Sequence, residues 1–274
     1  MRYLQWKNFK KIILEDKKVC INENEEAWNK ETYNAWVKRF GTAKEAAEKI
    51  KSMPEKKLNV LLDKFGDVKG KKIFNLMGSN GNKAVALALL GADVTVVDFS
   101  EGNRRYALDL AEACGVKINF ILSDVLKMPK EVMSGDYDIV FAEMGILHYF
   151  SDLSPFMNVI HSLLKDGGKA VLRDFHPVST KLITSRGSTA KVRKHKVTGD
   201  YFDTSLEEKE VAYSKYLEEG EVEKVFLRKW NLGEIVTAVA NTGLKIESLT
   251  EEPNLSSDVF DKGIPKTFTI VARK

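Results

Sequence analysis

Short apolar runs alternate with amphipathic segments along the chain from about residue 71 onward. The apolar runs have the length and composition of buried strands, and they cover residues 72–77, 94–98, 117–123, 137–143 and 169–175. Helical patterns lie between them, and two of these end at Gly91 and Gly115, which can close a helix in the left-handed conformation. Strands that alternate with helices predict βαβ units and a parallel sheet.

The alternation stops at residues 176–229 and then resumes. A helix is predicted at 232–241, followed by strands at 245–250 and 267–272. Within the interruption, 201–202 and 225–230 are candidate strands of a small antiparallel excursion. We therefore predict a core over 71–274 that carries an insertion at 176–229.

Residues 1–70 have a different texture, with helix signals and three of the four tryptophans. Thr42 and Glu45 form a capping-box pattern that opens one helix. Ser52, Pro54 and Glu55 repeat the signal and predict a second helix that Gly66 closes. This segment is predicted to be a helical cap or lid, with its aromatic residues packed against the core.

Composition excludes several classes of protein. Hydrophobic residues make up 43% of the chain and charged residues 30%, which is ordinary for a globular protein. The net charge of +4 is too small to indicate nucleic-acid binding, and no apolar run approaches the roughly 20 residues that cross a bilayer. Cys20 and Cys114 are far apart, which favours a reducing compartment, so we expect a cytoplasmic protein. The histidines and cysteines show no metal-ligand spacing, so we expect no metal site.

The strongest local signal is a strand, a glycine-containing loop and a helix at residues 73–90. Glycines allow a ligand to approach the backbone closely, and the helix start presents free N–H groups. Asp98 ends the next strand, twenty residues after Gly78, where a carboxylate can accept hydrogen bonds from both ribose hydroxyls of a nucleoside. Asp124 follows the third strand and is expected to face the same cleft. For each acid, a purely structural role in a turn or helix cap stays open.

These motifs resemble those of the class I S-adenosylmethionine-dependent methyltransferases of the small-molecule type. The resemblance covers residues 70–175 and 229–273 and is carried by segments in the family's order. They read IFNLMGSNG, VVDFS, LSDVLKMP, YDIVFAEMGILHYFSDL, LLKDGGKAVLRDFHP, NLGEIVTAVANTGLKIESL and TFTIVARK. The resemblance implies an α/β Rossmann-like fold with a seven-stranded, mostly parallel sheet, flanking helices and an antiparallel last strand. It also implies S-adenosyl-L-methionine as cofactor.

Carried over position by position, the resemblance implies a cofactor site. The residues implied for the methionine part, the ribose, the adenine and the surroundings of the methyl group are Asn75, Met77, Gly78, Ser79, Gly81, Asp98, Phe99, Asp124, Val125, Glu143 and Met144. The chain departs from the family in its first motif, because Met77 and Ser79 replace two glycines and Asn75 replaces an acid.

Aromatic residues of the N-terminal segment can close over such a site. In this family a helical N-terminal segment often covers the cofactor, so Tyr33, Trp36 and Arg39 are candidates to stack near the adenine or the acceptor. Packing of the cap is the alternative role for at least one of them.

His148 is the candidate general base, because an unperturbed histidine titrates near neutrality and the family often has a histidine in its acceptor pocket. Packing beside Tyr149 is the alternative. His176 precedes Pro177 and is expected to be a turn residue. A basic run at 181–196, which includes Lys181, is expected to be a solvated loop face.

Three other functions stay open at this point. A nicotinamide-dependent oxidoreductase could use the same fold, although the loop lacks a G-x-G-x-x-G pattern. A non-catalytic protein that binds an adenosyl ligand would fit the altered first motif. An RNA methyltransferase would need a base-stacking motif that Glu143-Met-Gly-Ile does not supply. A small-molecule acceptor is preferred because no basic stripe indicates nucleic acid, and the sequence does not indicate the oligomeric state.

Overall fold

A seven-stranded sheet with helices on both faces forms the centre of the protein. The computed structural model describes residue 28 and residues 31–186, 194–216, 223–256 and 261–274. The strands of this sheet are β1 Lys72–Leu76, β2 Asp93–Asp98, β3 Asn119–Leu122, β4 Tyr137–Glu143, β5 Leu164–Phe175, β10 Lys245–Glu252 and β11 Thr267–Arg273. Their order across the sheet is β10-β11-β5-β4-β1-β2-β3.

The pairing pattern confirms the predicted mostly parallel sheet. Strands β1 to β5 pair in parallel, whereas β11 lies antiparallel between β5 and β10. Chain order reverses between β1 and β4, because β2 and β3 follow on one side and β5 on the other. The crevice at the carboxyl ends of such strands is where open α/β sheets bind ligands.

Alternate residues of the central strands point to opposite faces of the sheet, and each face has its own core. Ile73 and Phe141 belong to one apolar cluster, while the neighbouring Phe74 and Val140 belong to the other. The first cluster includes residues of α2 Ala43–Ser52, α5 Asn82–Leu89 and α6 Glu101–Cys114. The second includes residues of α7 Ser154–Leu163 and α8 Leu232–Ala240. This two-sided burial explains the continuous apolar runs in the sequence.

Four short helices precede the sheet in the described chain. They are α1 Thr32–Phe40, α2, α3 Pro54–Leu58 and α4 Val60–Phe65. The predicted capping box at the start of α2 is confirmed, since Thr42 Oγ1 accepts from the Glu45 N–H and Glu45 Oε2 accepts from the Thr42 N–H. The prediction of one helix from residue 52 to Gly66 was wrong: Asn59, with φ of +47°, separates α3 from α4.

In the described parts of the segment 176–229, four strands form two antiparallel pairs. β6 Ile183–Arg186 pairs with β7 Lys194–Val197, and β8 Leu206–Glu210 pairs with β9 Lys224–Arg228. The predicted strand at 201–202 was wrong, because these residues form a turn in which Phe202 is exposed. The prediction for 225–230 corresponds to β9.

Lys181 corrects the interpretation of the basic run as a solvated face. Its side chain is buried, and Nζ donates to the carbonyl oxygens of Asp203 and Lys229. Lys196 is exposed, as predicted, whereas Lys191 and Arg193 lie outside the described residues. Burial of the charged end is possible because two backbone oxygens replace water as its partners.

Over the ranges that the structure describes, no helix has both the length and the apolar character to cross a membrane. No group of three or more metal-ligating side chains is found over the same ranges. Cys114 is buried and is not in a disulfide, and Cys20 lies outside the described residues.

Candidate active site

A cavity of about 500 Å³ lies at the carboxyl ends of β1, β2 and β4. Its walls come from the loop after β1, the end of β2, the segment after β4, helix α1 and the insertion. The predicted site residues that line it are Asn75, Met77, Gly78, Ser79, Asp98, Phe99, Glu143, Met144 and His148. The topology thus brings together side chains that are up to 73 positions apart in the sequence.

The loop after β1 has the backbone of a glycine-rich turn without all of its glycines. Met77 and Ser79 take φ angles of +48° and +49°, in the left-handed region that favours glycine. A larger residue at position 78 would displace its neighbours, because a Cβ there would lie 2.6 Å from both Asn75 Oδ1 and Val96 Cγ1. Met77 and Ser79 therefore adopt backbone angles that cost conformational energy for residues other than glycine.

Gly81 is placed differently from the expectation that it lines the cofactor site. It begins α5 in the left-handed conformation, and a Cβ on it would lie 2.5 Å from the Cβ of Ala107 in α6. Gly81 is not among the cavity-lining residues. Its role in the structure is the close contact between two helices.

Asp98 is the most constrained acid of the site, with only 8% of its surface exposed. Oδ2 accepts from the Ser79 N–H at 3.0 Å, and Oδ1 accepts from the Ser100 N–H at 3.0 Å and from Asn103 Nδ2 at 2.9 Å. Burial raises the pKa of the Asp98 carboxyl, and the hydrogen bonds from Asn103, Ser100 and Ser79 oppose that rise. These donors fix the carboxylate at the cavity edge.

Asn75 presents an acceptor that the described chain leaves unused. Its Oδ1 is buried and has no hydrogen-bond partner there, although the residue lines the cavity. Buried polar atoms are normally hydrogen-bonded, so a donor on a bound molecule is a suitable partner. A methionine ammonium group is such a donor, and the loop therefore fits the cofactor that the resemblance implies.

Asp124 and Val125 do not line the cavity, contrary to expectation. Asp124 Oδ1 accepts from the Leu126 N–H at 2.9 Å, and Oδ2 pairs with Lys127 Nζ at 2.9 Å. The Val125 side chain is buried in the second apolar cluster. The helix-capping role that the sequence left open for Asp124 is the one seen here, and Asp98 is the only one of the two aspartates that reaches the cavity.

Tyr33 also lies outside the cavity. Its hydroxyl donates to Asp109 Oδ2 at 2.9 Å, and the Arg105 guanidinium lies 4.3 Å from its ring centroid. Trp28 and Trp36 reach the cavity from this part of the chain instead. Trp28 Nε1 donates to the Tyr149 hydroxyl at 3.1 Å, and Trp36 Nε1 donates to Asn103 Oδ1 at 2.7 Å.

Glu143 ends β4 beside a lysine that sequence reasoning missed. Lys83 Nζ lies 3.1 Å from Glu143 Oε1, and both residues line the cavity. Burial raises the pKa of the Glu143 carboxyl, while Lys83 and Arg173 oppose the rise. Lys83 lies in the first turn of α5, which follows β1, and Glu143 ends β4. Their ion pair therefore connects the two neighbouring strands between which the chain order reverses.

Asp174 organises the segment that follows β4. One carboxylate oxygen accepts from the Gly145 N–H at 2.7 Å, and the other accepts from the N–H groups of Ile146 and Leu147 at 3.0 and 2.9 Å. Met144 just before them has a φ of +61°. Asp174 therefore positions the backbone that leads to His148.

His148 lies between the main cavity and a second, smaller one of about 100 Å³. Its ring centroid is 4.5 Å from that of Tyr149, so the histidine lines the cavity and packs on the tyrosine at once. Burial lowers the pKa of the His148 imidazole, and the nearby Asp174 opposes this. The lowered pKa favours the neutral imidazole, which is the form that accepts a proton.

His176 was expected to be a turn residue, and it has a more specific role. It is buried, its Nδ1 accepts from the Val178 N–H at 3.1 Å, and its Nε2 lies 2.5 Å from Glu251 Oε1. It does not line the main cavity. The residue stabilises the start of the insertion against β10.

Sequence reasoning missed several residues at or behind the cavity, namely Trp28, Lys83, Asn103, Tyr149 and Asp174. Two of these residues could have been found from their position near a predicted strand end. Asn103 follows the end of β2 by a few positions, and Asp174 lies near the end of β5. Trp28 and Lys83 could be found only from the tertiary structure.

Comparisons with known proteins agree with this architecture. Residues 73–168 match the family model of a methyltransferase domain. A demethylmenaquinone methyltransferase of Thermus thermophilus is 29% identical over 109 residues, which are 39% of this chain and 48% of that protein. A Bacillus subtilis protein described as an uncharacterized methyltransferase is 33% identical over 108 residues, which are 37% and 42% of the two chains. The matched segments thus span about half or less of these relatives.

Solved structures resemble a larger part of the chain. An S-adenosylmethionine-dependent methyltransferase from Mesorhizobium loti has a TM-score of 0.60 at 20% identity and covers 80% of this chain and 98% of its own. The magnesium protoporphyrin IX methyltransferase of Synechocystis, solved with bound S-adenosylhomocysteine, has a TM-score of 0.55 at 15% identity, with 94% and 99% coverage. Residues 73–168 thus match a methyltransferase domain, and the chain has the fold of solved S-adenosylmethionine-dependent methyltransferases, as the resemblance in its motifs implied.

Proposed function

We propose that this protein binds S-adenosylmethionine in the main cavity and transfers its methyl group to a small-molecule acceptor by in-line displacement. One observation supports the proposal above the others: the Asp98 carboxylate is fixed at the cavity edge by the Ser79 N–H of the preceding loop. A carboxylate in this place suits the two hydroxyls of a ribose.

The remaining roles follow from position along the cavity. Phe99 adjoins Asp98 and would contact the adenine, while Asn75 Oδ1 would accept from the methionine ammonium. Glu143 and Met144, at the end of β4, would lie near the methyl group. Gly81, Asp124, Val125 and Tyr33 have no part in this proposal, because they do not reach the cavity.

The cofactor supplies an already activated methyl group on a sulfonium. The protein's task is consequently to orient the acceptor and to exclude water. His148, held neutral by burial, can accept a proton from an acceptor that must lose one. Asp174 would set the position of His148 through the backbone of residues 145–147.

A small-molecule acceptor suits the size and covering of the cavity. Its volume of about 500 Å³ is typical of small-molecule sites, and α1 and the insertion close part of its mouth. The matched relatives include proteins named for demethylmenaquinone and for ubiquinone biosynthesis. A cytoplasmic location remains a prediction from the wide spacing of the two cysteines.

Replacement of Asp98 tests the proposal. In the variant D98N, one carboxylate oxygen becomes an NH₂ group that faces an existing N–H donor, and the negative charge that suits the ribose hydroxyls is lost. We therefore expect the affinity for S-adenosylhomocysteine, measured by calorimetry, to fall at least tenfold. D93N is the matched control, because Asp93 is exposed at the opposite end of β2. Thermal unfolding of each variant shows whether it is folded. An affinity that is unchanged in folded D98N would contradict the proposal.

A further inference from the structure

Helix α1 and the insertion together form one wall of the cavity, which we call the aromatic wall: Trp36, Arg39 and Phe40 from the helix, and Lys215 and Tyr216 from the insertion. The Trp36 ring lies 5.9 Å from that of Phe40 and 6.0 Å from that of Tyr216, measured between centroids. Flat, apolar surfaces therefore meet at the place where two parts of the chain converge.

Cationic groups lie directly on these rings. The Arg39 guanidinium is 4.4 Å from the Tyr216 ring centroid and 4.9 Å from that of Phe40, and Lys215 Nζ is 5.2 Å from the Tyr216 centroid. Lys57 lines the same cavity. Within the described ranges, none of these three cations has a carboxylate at ion-pair distance.

The acids of the cavity do not form ion pairs with these three cations. Glu143 is already paired with Lys83, and Asp98 accepts three hydrogen bonds from neighbouring N–H groups. Burial and the charges of Lys49 and Lys83 lower the pKa of the Lys57 ammonium, as expected for a site rich in positive charge.

The charge of the proposed cofactor makes this excess larger. S-adenosylmethionine carries a sulfonium besides its ammonium and carboxylate, and its single carboxylate can pair with only one of the three cations. At least two cations would then share the cavity with the sulfonium. Like charges in a partly desolvated site repel, and an anion in the same site relieves that repulsion.

We infer that the methyl acceptor is a flat, mainly apolar molecule that carries an anionic group such as a carboxylate or a phosphate. Aromatic rings of the wall would hold its flat body, and Arg39 and Lys215 would face its anionic group. This inference rests on the proposed function, because the sulfonium is part of the charge balance.

Binding of matched acids and amides tests the inference separately from the cofactor. Calorimetry at low ionic strength would compare 4-hydroxybenzoate with 4-hydroxybenzamide, and phenyl phosphate with phenol, in the presence of saturating sinefungin, a cofactor analogue in which an ammonium group supplies the positive charge of the sulfonium. We expect each anion to bind at least fivefold more tightly than its neutral partner. In R39Q and in K215Q we expect this preference to fall at least threefold, with unchanged affinity for the neutral partner.

K44Q is the matched control, because Lys44 is an exposed cation on the neighbouring helix α2. It should keep the full preference for the anion. Equal affinity for acid and amide, or failure of all four probes to bind, would overturn the inference. The inference would also be overturned if R39Q and K215Q weakened the binding of S-adenosylhomocysteine but kept the full preference for the anion. Failure of the wild type to bind S-adenosylhomocysteine would instead overturn the proposed function, and the acid and amide would then be compared on the protein alone.

Discussion

Trp36 Nε1 donates a hydrogen bond of 2.7 Å to Asn103 Oδ1. Through Asn103, this bond connects helix α1 to Asp98, the acid that is proposed to bind the cofactor. Asn103 passes the contact on, since its Nδ2 donates to Asp98 Oδ1 at 2.9 Å. Both residues are buried. Asp98 is therefore held from the loop after β1, from α6 and, through Asn103, from α1.

The variant W36F tests this connection. Phenylalanine keeps an aromatic ring but lacks the N–H, so Asn103 loses a partner and Asp98 is held less firmly. We expect a loss of about 1 kcal/mol in the free energy of unfolding and a few-fold loss of affinity for S-adenosylhomocysteine. Y106F is the control, because the Tyr106 hydroxyl donates to the Gly41 carbonyl at 3.0 Å without touching Asp98. It should lose stability without losing affinity; equal effects of the two variants on affinity would contradict the connection.

Asp174 provides a second prediction. In D174N one oxygen becomes an N–H₂ group that faces backbone donors of residues 145–147, so buried N–H groups lose their acceptor. We expect the free energy of unfolding in urea to fall by about 2–4 kcal/mol. D166N, at an exposed position near the start of β5, should stay within about 0.5 kcal/mol of the wild type. A similarly small effect of D174N would show that the carboxylate does not hold this segment.

The lowered pKa of His148 predicts a pH dependence of stability. Below the unfolded pKa of about 6.5, the unfolded chain binds a proton that the buried imidazole of the folded protein binds only at lower pH. Stability is therefore fully present above that value and is lost as the pH falls toward the folded pKa. Denaturant unfolding at pH 7.5 and pH 5 should show a smaller loss in H148Q than in the wild type.

His161, on α7 and outside both cavities, supplies the control for this experiment. H161Q should lose as much stability between the two pH values as the wild type. If H148Q also behaved like the wild type, the buried neutral imidazole would be disproved. Once an acceptor is known, unchanged turnover of H148A across pH would remove His148 as the base.

Backbone strain in the first motif gives a fourth prediction. Ser79 has a φ of +49°, where an L side chain costs about 1–2 kcal/mol, so S79G should be more stable than S79A by about 1 kcal/mol. Both variants keep the Ser79 N–H that donates to Asp98. At Ser52, in the exposed last turn of α2, the order should reverse, since glycine is the weaker helix former. The same order at both positions would contradict the strained turn.

The fold was predictable because its signals are local. The central strands β1, β4 and β11 are apolar runs, and helix ends carry caps such as Ser100, which accepts from the Asn103 N–H, and Gly115 in the left-handed conformation. The insertion was less predictable, since its strands are polar: β8 reads LEEKE and has no apolar alternation. Asn59 breaks a helix through a backbone angle that its identity permits but does not require.

The site was predictable only along the strand ends. Residues such as Ser79, Asp98 and Glu143 lie at the carboxyl edge because the parallel topology puts them there. Asp124 follows the end of β3 by two positions, yet its carboxylate caps the next turn, and no sequence pattern distinguishes these two uses. Which aromatic residue of α1 reaches the cavity depended on how the helix packs, and Trp36 does so while Tyr33 pairs with Asp109.

The central claim is that the cavity between Ser79, Asp98 and Glu143 holds an adenosyl cofactor. Calorimetric titration of the unaltered protein with S-adenosylhomocysteine, and separately with NAD⁺, tests it most directly. We expect one molecule of S-adenosylhomocysteine to bind per chain and NAD⁺ not to compete with it. Binding of NAD⁺ in place of S-adenosylhomocysteine, or no binding of either at millimolar concentration, would contradict the claim.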